Sequence, residues 1–327
     1  MSITTVADVE AAAARIAGAV VRTPLLRAGW GDPRRPLFLK PESLQPTGAF
    51  KLRGATNAVR LLDDAARRAG VVTHSSGNHA QALAWAARAA GARAVIVMPD
   101  DAPAVKIEAT RALGAEVVLV PVAERESAAE EVRRARGATL VPPYDDAAVI
   151  AGQGTVGLEI ADDLPEVGTV LVPVSGGGLI SGIAAAVKAR SPRARVVGVE
   201  PELAGDLAEG FAVGRRTRWT PERTGRTVAD GLRVTCVGEL PWEHISVLVD
   251  DVVTVTEDAL LNAMRRLAFG SRLVAEPSGA AATAAYLTRG DMLPAGPVVA
   301  VVSGGNVQPD LLARVLQDHP RLNGVPA

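Results

Sequence analysis

A lysine between a turn and an apolar helical stretch is the first candidate for chemistry in this chain. Lys51 closes the segment Glu42–Lys51, in which Pro46 and Gly48 indicate a turn just before it. Apolar surroundings lower the pKa of an ammonium group and favour the neutral amine, which attacks carbonyl carbons. Such a lysine can form a Schiff base with an aldehyde. Taken alone, Lys51 is equally explained as a solvated residue at a helix start.

A run of small residues supplies a candidate phosphate site. The residues Ser175, Gly176, Gly177 and Gly178 follow an apolar strand and precede an apolar helix. Backbone N–H groups at a helix N-terminus bind anions, and small residues let a ligand approach them. Consecutive glycines lose much conformational entropy on folding, which favours a ligand over a plain turn as their explanation. Neither a dinucleotide fingerprint nor a P-loop pattern is present.

A polar turn between a strand and a helix offers donors for a carboxylate. It contains Ser75, Ser76, Asn78 and His79. Capping a helix needs only one such side chain, so the number of polar groups indicates a ligand. We assign no role to the neighbouring His74. Neither histidine has Cys or His partners at metal-binding spacing.

Three further segments each allow two interpretations. The segment Ser303–Asn306 is either an ordinary turn after a strand or a hydroxyl placed against a ring nitrogen. Glu276 precedes a helix of small residues and is a candidate buried acid facing a cleft. Glu200 and Asp206 form either a solvated acidic pair or, with a carbonyl between them, a site for Mg²⁺ or Ca²⁺.

Short apolar runs alternate with amphipathic stretches, which predicts an α/β fold with two open, twisted, mainly parallel sheets and flanking helices. Ligands bind at the carboxyl ends of strands in such folds, where these motifs fall. Evenly spaced units predict a small mobile domain over residues 70–145, with residues 1–69 and 146–327 forming a large cofactor-binding domain. Glycines in residues 152–154 indicate close helix packing. We expect long loops over a cleft in residues 201–241. The expected strands are Leu37–Lys40, Gly70–His74, Ala94–Met98, Glu116–Pro121, Ala138–Val141, Thr169–Val174, Val196–Glu200 and Val298–Val302.

Composition excludes several classes of protein. The 327 residues are 48% hydrophobic with a net charge of -1, so a sizeable core is expected and global disorder is not. Aromatic residues make up 3% and no basic stripe is visible, which argues against a nucleic-acid partner. The single Cys236 excludes an intrachain disulfide framework and fits a reducing compartment. We find neither a signal peptide nor a charge-free stretch of membrane-spanning length, so we expect a cytoplasmic protein without a membrane partner.

Five of these segments occur in the order seen in the serine/threonine dehydratase family of fold-type-II pyridoxal-phosphate enzymes, which includes the serine racemases. They are Phe50-Lys51, Ser75–His79, Ser175–Gly178, Glu276–Gly279 and Ser303–Asn306. The chain resembles this family from about Thr23 to Asn306. The resemblance implies a fold like that of the tryptophan synthase β chain, pyridoxal phosphate as cofactor, an amino-acid substrate and a homodimer.

The resemblance also implies a role for each matching residue. Lys51 corresponds to the lysine that forms the Schiff base, and Phe50 packs beside the cofactor ring. Asn78 corresponds to the partner of the ring hydroxyl, and Ser303 to the partner of the pyridine nitrogen. The segment Ser175–Gly178 corresponds to the phosphate loop, although many relatives begin it with a fourth glycine. A neutral serine at the nitrogen leaves the ring unprotonated, which favours β-elimination over transamination.

The polar turn corresponds to the family's substrate-carboxylate site. Its residues are Ser75, Ser76, Asn78 and His79, and Ser76 also matches the second acid/base of the racemases. Glu276 is assigned to the cofactor site.

A divalent-cation site is implied as well. Glu200, the carbonyl of Ala204, and Asp206 match the family's cation site in spacing. The family uses Mg²⁺, Mn²⁺ or Ca²⁺ there to brace the fold.

Three functions are compatible with these residues. We favour β-elimination of a 3-hydroxy amino acid such as L-threonine or L-serine to a 2-oxo acid and ammonia. The alternative is a serine or other amino-acid racemase, in which Ser76 reprotonates the opposite face. In the racemases we expect a hydroxyl three residues after the turn Ala229-Asp230-Gly231, and Val234 stands there. Lys51 argues against a non-catalytic binding module, and the cysteine-synthase kind of β-replacement enzyme resembles the chain less well.

Overall fold

Two β-sheets form the framework of the chain. The computed structural model describes residues 3–102 and 104–317. A six-stranded sheet has the order β1-β2-β10-β7-β8-β9, and a four-stranded sheet has the order β5-β4-β3-β6. The strands are β1 Leu26–Arg27, β2 Leu37–Pro41, β3 Val71–His74, β4 Ala94–Pro99, β5 Glu116–Val120, β6 Thr139–Leu140, β7 Thr169–Pro173, β8 Arg195–Pro201, β9 Asp251–Val255 and β10 Val298–Val302.

Neighbouring strands are parallel except for β1 and β2, which are antiparallel. The expectation of mainly parallel sheets is therefore confirmed. Parallel strands covered on both faces are apolar throughout, and all residues of β4 and β10 are buried accordingly. The expected strands all exist, but β1 and β9 were missed. Four of the five residues of β9 are only partly buried, because it lies at the sheet edge and has no fully apolar run.

Helices connect and cover the strands. They are α1 Val6–Ile16, α2 Lys51–Arg60, α3 Asp64–Ala69, α4 Asn78–Ala89, α5 Ala104–Ala112, α6 Arg125–Arg136, α7 Ala147–Asp163, α8 Gly178–Arg190, α9 Asp206–Val213, α10 Pro221–Thr224, α11 Glu239–Leu248, α12 Glu257–Ser271, α13 Pro277–Arg289 and α14 Pro309–Gln317. The stretch 201–241 contains α9, α10, the start of α11 and two 3-10 turns, Glu202–Ala204 and Asp230–Leu232. It is therefore more helical than the expected long loops.

Each sheet has an apolar core on both faces. In β10, Val299 and Val301 belong to the core under α7 and α8, whereas Val298, Ala300 and Val302 belong to the core under α12 and α13. This is the two-residue alternation of a strand. The four-stranded sheet packs against α2, α4 and part of α7 on one face and against α6 on the other.

Glycines bring two pairs of helices into close contact. A Cβ on Gly182 of α8 would lie 2.3 Å from the carbonyl oxygen of Ile150 in α7. A Cβ on Gly152 would lie 2.6 Å from the Cα of Gly54 in α2. The expected close packing around residues 152–154 is thus confirmed. Among the described residues, no helix is long and apolar enough to cross a membrane.

Candidate active site

The amino end of α2 is fixed to the end of β10. The backbone N–H of Phe50 donates to the carbonyl of Ser303 at 3.0 Å, and Ala49 forms an isolated bridge with Gly304. No side chain caps α2 at Phe50, its N-cap residue. The first residue of the helix, Lys51, is therefore positioned at the carboxyl edge of the six-stranded sheet, where parallel sheets bind ligands.

The amine of Lys51 is held in partly buried surroundings. Its Nζ donates to the carbonyl of Pro143 at 2.6 Å and lies 5.1 Å from the centroid of the Phe50 ring. Burial lowers the pKa of Lys51 to about 8, because the charged form loses solvation. A substantial share of the amine is neutral near that pH, as nucleophilic and general-base chemistry requires.

The glycine loop lies at the start of α8. Gly177 is its N-cap with a φ of 91°, a left-handed conformation that favours glycine, and no side chain caps the helix. Its first N–H groups can therefore bind an anion. A Cβ on Gly176 would lie 2.1 Å from the ring of Tyr144. Since Pro143 and Tyr144 are consecutive, the residues that contact Lys51 and the glycine loop are neighbours.

Ser175 begins this loop and is partly exposed. Its Oγ accepts the backbone N–H of Val234 at 3.4 Å. The hydroxyl thus joins the glycine loop to the segment after the turn Ala229-Asp230-Gly231, where the racemases were expected to carry a hydroxyl.

The polar turn lies at the start of α4. Gly77 is the N-cap of this helix, and no side chain caps it. The Oγ of Ser75 accepts the N–H of Gly77 at 3.3 Å, and Ser76 is partly exposed. Hydroxyl groups and the first N–H groups of α4 therefore lie together, as a carboxylate site needs.

Asn78 joins the two sheets through hydrogen bonds. Its Nδ2 donates to Glu276 Oε1 at 2.6 Å, and its Oδ1 accepts from Asn306 Nδ2 at 2.8 Å. Asn306 Nδ2 also donates to the carbonyl of Thr47 at 2.9 Å. Asn306 was considered only as the end of a turn, so its bond to Asn78 was missed.

His79 has a different environment from the one expected for a substrate ligand. Its side chain is buried, and Nε2 lies 3.0 Å from the carbonyl of Val141. Burial and the positive charge of Lys51 lower the pKa of His79 to about 3, so the ring is neutral. It donates from Nε2, while Nδ1 has no hydrogen-bond partner.

The carboxylate of Glu276 is buried beside Gly304. A Cβ on Gly304 would lie 2.2 Å from Glu276 Oε1, so glycine is required there. Burial and the charge of Asp230 raise the pKa of Glu276 to about 7. Ser303, the residue after β10, is 5% exposed, and its carbonyl rather than its hydroxyl bonds Phe50.

A second pair of carboxylates lies at the end of β8. Glu200 accepts backbone N–H groups of Leu207 at 3.2 Å and Ala208 at 2.8 Å, at the start of α9. Asp206 is 2% exposed, and its Oδ2 has no hydrogen-bond partner. Burial raises the pKa of both, that of Asp206 to about 7. Within the described parts of the chain, no group of three or more His, Cys, Asp or Glu side chains could hold a metal.

These two carboxylates nevertheless fit a cation better than they fit each other. Each is a hard oxygen ligand, and one buried oxygen is unsatisfied. Ala204 ends the 3-10 turn between them and is itself buried, so its carbonyl is the additional oxygen that the spacing suggested.

The fold and the site together define a class of enzyme. A partly buried lysine amine, a glycine loop at one uncapped helix start and a polar turn at another can hold an aldehyde, its phosphate and a carboxylate. The chain belongs to the family of pyridoxal-phosphate dependent enzymes, whose family model matches residues 16–304. This family accounts for the lysine and the phosphate loop together.

The most similar sequences include threonine dehydratases. The chain is 41% identical to L-threonine dehydratase catabolic TdcB of Staphylococcus aureus strain USA300, covering 96% of this chain and 92% of the relative. It is also 41% identical to the protein of that name from Escherichia coli strain K12, covering 95% and 94%.

Solved structures agree. A threonine deaminase from the source abbreviated T.th. is 43% identical, with a TM-score of 0.88 over 93% of this chain and 99% of that chain. Maize serine racemase is 39% identical, with a TM-score of 0.91 over 97% and 98%. The resemblance to fold-type-II pyridoxal-phosphate enzymes is confirmed.

Proposed function

We propose that the chain catalyses β-elimination of a 3-hydroxy amino acid such as L-threonine or L-serine, with release of a 2-oxo acid and ammonia. The similarity to threonine dehydratases over nearly the whole chain supports this reaction. The observation that carries it is the amine of Lys51, with a pKa near 8, beside the glycine loop.

Pyridoxal phosphate fits the residues at this site. Lys51 would hold its aldehyde end, and Ser175–Gly178 would hold its phosphate at the start of α8. Phe50, Asn78 and Ser303 would contact the ring, with Glu276 behind Asn78. The glycines leave the loop backbone open to the ligand, and Gly176 has no room for a side chain. When bound, the cofactor withdraws electrons and makes the α-proton of the amino acid acidic.

Lys51 would remove that proton. Its amine is neutral in part near pH 8, and a base with a pKa near the working pH is the most effective. The Pro143 carbonyl fixes the amine in one direction. Ser303 would keep the ring nitrogen neutral, which favours elimination.

The polar turn would hold the substrate carboxylate. Ser75, Ser76 and Asn78 offer polar groups at the uncapped start of α4. The His79 ring is bonded to Val141, so His79 would contribute its backbone N–H. In this proposal residues 70–145 move as a small domain, which excludes water when the carboxylate is bound, while residues 1–69 and 146–327 carry the cofactor.

Racemisation is the second candidate. Ser76 is partly exposed and could return a proton from the opposite face, as in serine racemases. Maize serine racemase is among the structural neighbours. Against it, Val234 occupies the position where a hydroxyl was expected.

The same proposal includes a divalent cation, a homodimer and a cytoplasmic location. Glu200, Asp206 and the carbonyl of Ala204 would bind Mg²⁺, Mn²⁺ or Ca²⁺, and the unsatisfied Asp206 oxygen supports this. The homodimer and the location rest on the resemblance and the composition.

The decisive experiment measures 2-oxo acid release from L-serine, L-threonine, D-serine and L-threo-3-hydroxyaspartate, with pyridoxal phosphate and Mg²⁺ supplied. We expect rapid release from one of them and no turnover after Lys51→Ala. Lys188→Ala is the matched control, because Lys188 lies near the carboxyl end of α8 and bonds Asp250. Full activity of Lys51→Ala would overturn the proposal. Absence of release with wild type, accompanied by loss of optical purity, would establish the racemase instead.

A further inference from the structure

Four charged side chains lie buried beneath α2, outside the residues assigned above. Lys40, Glu42 and Arg53 have side chains that are 0% exposed, and that of Glu159 is 14% exposed. We call them the buried charge cluster. It contains two cations and two anions, so it is neutral overall.

Arg53 lies at the centre of the buried charge cluster. Its Nε and Nη2 donate to the two oxygens of Glu42 at 2.7 and 2.8 Å. Its Nη1 and Nη2 donate to the two oxygens of Glu159 at 2.6 and 2.9 Å. Nη1 also donates to Thr155 Oγ1 at 3.0 Å. One guanidinium thus makes two bidentate pairs, a geometry that lysine cannot reproduce.

These bonds join α2 to three other parts of the chain. Glu42 follows β2, Glu159 and Thr155 lie on α7, and the Val21 carbonyl accepts from Arg53 Nη2 at 3.2 Å. Lys40 completes the cluster from β2, donating to Glu159 at 2.6 Å and to the Thr23 carbonyl at 2.7 Å. Lys40 itself makes no bond to α2 in the described residues.

Burying four charges is a costly way to stabilise a fold. Apolar residues of similar shape often stabilise as well or better, since desolvation offsets most of the attraction. What the buried charge cluster supplies is direction, because each bidentate pair fixes the plane of the guanidinium and with it the rotation of the helix that carries Arg53.

Arg53 is in the first turn of α2, two residues after Lys51. That turn has no side-chain cap, and its other fixed point is the bond from Phe50 to Ser303. We propose that Arg53 is a positioning residue: its grip on Glu42 and Glu159 sets the rotation of the first turn of α2 and so the direction in which Lys51 presents its amine. This inference rests on the proposed role of Lys51.

The test compares Arg53→Met with Lys40→Met in the enzyme loaded with pyridoxal phosphate. Each substitution removes one cation from the buried charge cluster, but only Arg53 holds α2. We expect both to lower Tm, and Arg53→Met alone to lower kcat by about tenfold to a hundredfold, as misplacement of a reacting group does. KM should change little. The pH midpoint of the visible absorption of bound cofactor should move in Arg53→Met and stay in place in Lys40→Met.

Two results would overturn the inference: unchanged kcat in a folded Arg53→Met, or parallel losses of Tm and kcat in both variants. If Arg53→Met does not fold, Arg53→Lys carries the test, because it keeps the charge and loses the bidentate geometry. Unchanged kcat and spectrum in Arg53→Lys would then reject the role. The absorption readout needs no turnover, so failure of the proposed reaction is distinguishable from failure of this inference.

Discussion

The Nζ of Lys106 lies 2.6 Å from Oδ2 of Asp230, which joins α5, beside the four-stranded sheet, to the turn after α10. The backbone N–H of Gly231 in this turn donates to Ser278 Oγ at 2.9 Å, so the turn itself is fixed to α13. Both charges act on the buried carboxyl of Glu276: Asp230 raises its pKa and Lys106 lowers it. The pair therefore links the two sheets and tunes a group in the candidate site.

Changing either member of this pair should shift the pKa of Glu276 in opposite directions. Asp230→Asn removes a negative charge and should lower it, whereas Lys106→Met removes a positive charge and should raise it. We expect the acid limb of the pH profile of kcat/KM to move accordingly. The effect on Tm should be small, because a partly exposed pair contributes about 0–1 kcal/mol. Arg111→Met, which breaks an exposed pair with Glu108 on the same helix, is the control. Shifts of equal sign would contradict this interpretation.

The buried amine of Lys51 should make stability depend on pH. Its pKa is 10.5 when solvated and about 8 in the fold. Between these values the unfolded chain binds a proton that the folded chain does not, so the free energy of unfolding rises with pH across this window. Below it, both states are charged and the cost of burial is fully present.

Lys51→Met removes this cost. We expect the cofactor-free variant to be more stable than the cofactor-free wild type at pH 7, and the difference to shrink as the pH rises toward 10. Urea denaturation at several pH values measures it. A difference that stays constant with pH would show that Lys51 is not charged and buried as described.

A divalent cation should stabilise the protein through Glu200 and Asp206. Their raised pKa values reflect carboxylates whose ionised forms are poorly solvated, and a cation would favour those forms. Binding to the folded state alone adds about 2.7 kcal/mol at a hundredfold excess over Kd. Thermal unfolding with Mg²⁺, with Ca²⁺ and with a chelator measures it.

The gain should be larger above pH 7 than below, because protons compete for the Asp206 carboxylate, whose pKa is about 7. Asp206→Asn should abolish the gain. Glu202→Gln, in the exposed part of the same turn, should keep it. A gain that survives Asp206→Asn would place the cation elsewhere.

The contact between α7 and α8 should not tolerate a methyl group at Gly182. A Cβ there would lie 2.3 Å from the Ile150 carbonyl oxygen and 2.5 Å from the Gly154 nitrogen, both of which are backbone atoms. We expect Gly182→Ala to lower the free energy of unfolding by about 1–3 kcal/mol or more. Gly290→Ala, where nothing lies within 4 Å and φ is -58°, should be nearly neutral in the same urea titration. Equal stability of the two variants would mean that α7 and α8 separate easily.

Buried strands were predictable because their chemistry is local. The strand β3 was expected from Gly70 and begins at Val71, and β10 was placed without error. The edge strand β9 was missed, since Asp251 begins it and partly exposed residues follow. A strand with one open edge needs no continuous apolar run, so its sequence resembles that of a loop.

The residue types of the candidate site were predictable, whereas their partners were not. Asn78 and Glu276 were both singled out, but their bond spans 198 residues and has no signature in either segment. The acceptor of Lys51 is the backbone carbonyl of Pro143, and any residue has such a carbonyl. The buried charge cluster was also missed, because Arg53 in isolation resembles an ordinary polar residue of an amphipathic helix.

The contact between Gly176 and Tyr144 has a consequence for how this enzyme changes over time. Because a Cβ at Gly176 would overlap the Tyr144 ring, no side chain can be added there while the aromatic ring remains. The two positions therefore form a single unit of inheritance: a bulkier residue in the loop is acceptable only together with a smaller one at 144. Chimaeras that exchange the loop with a relative must carry both segments across.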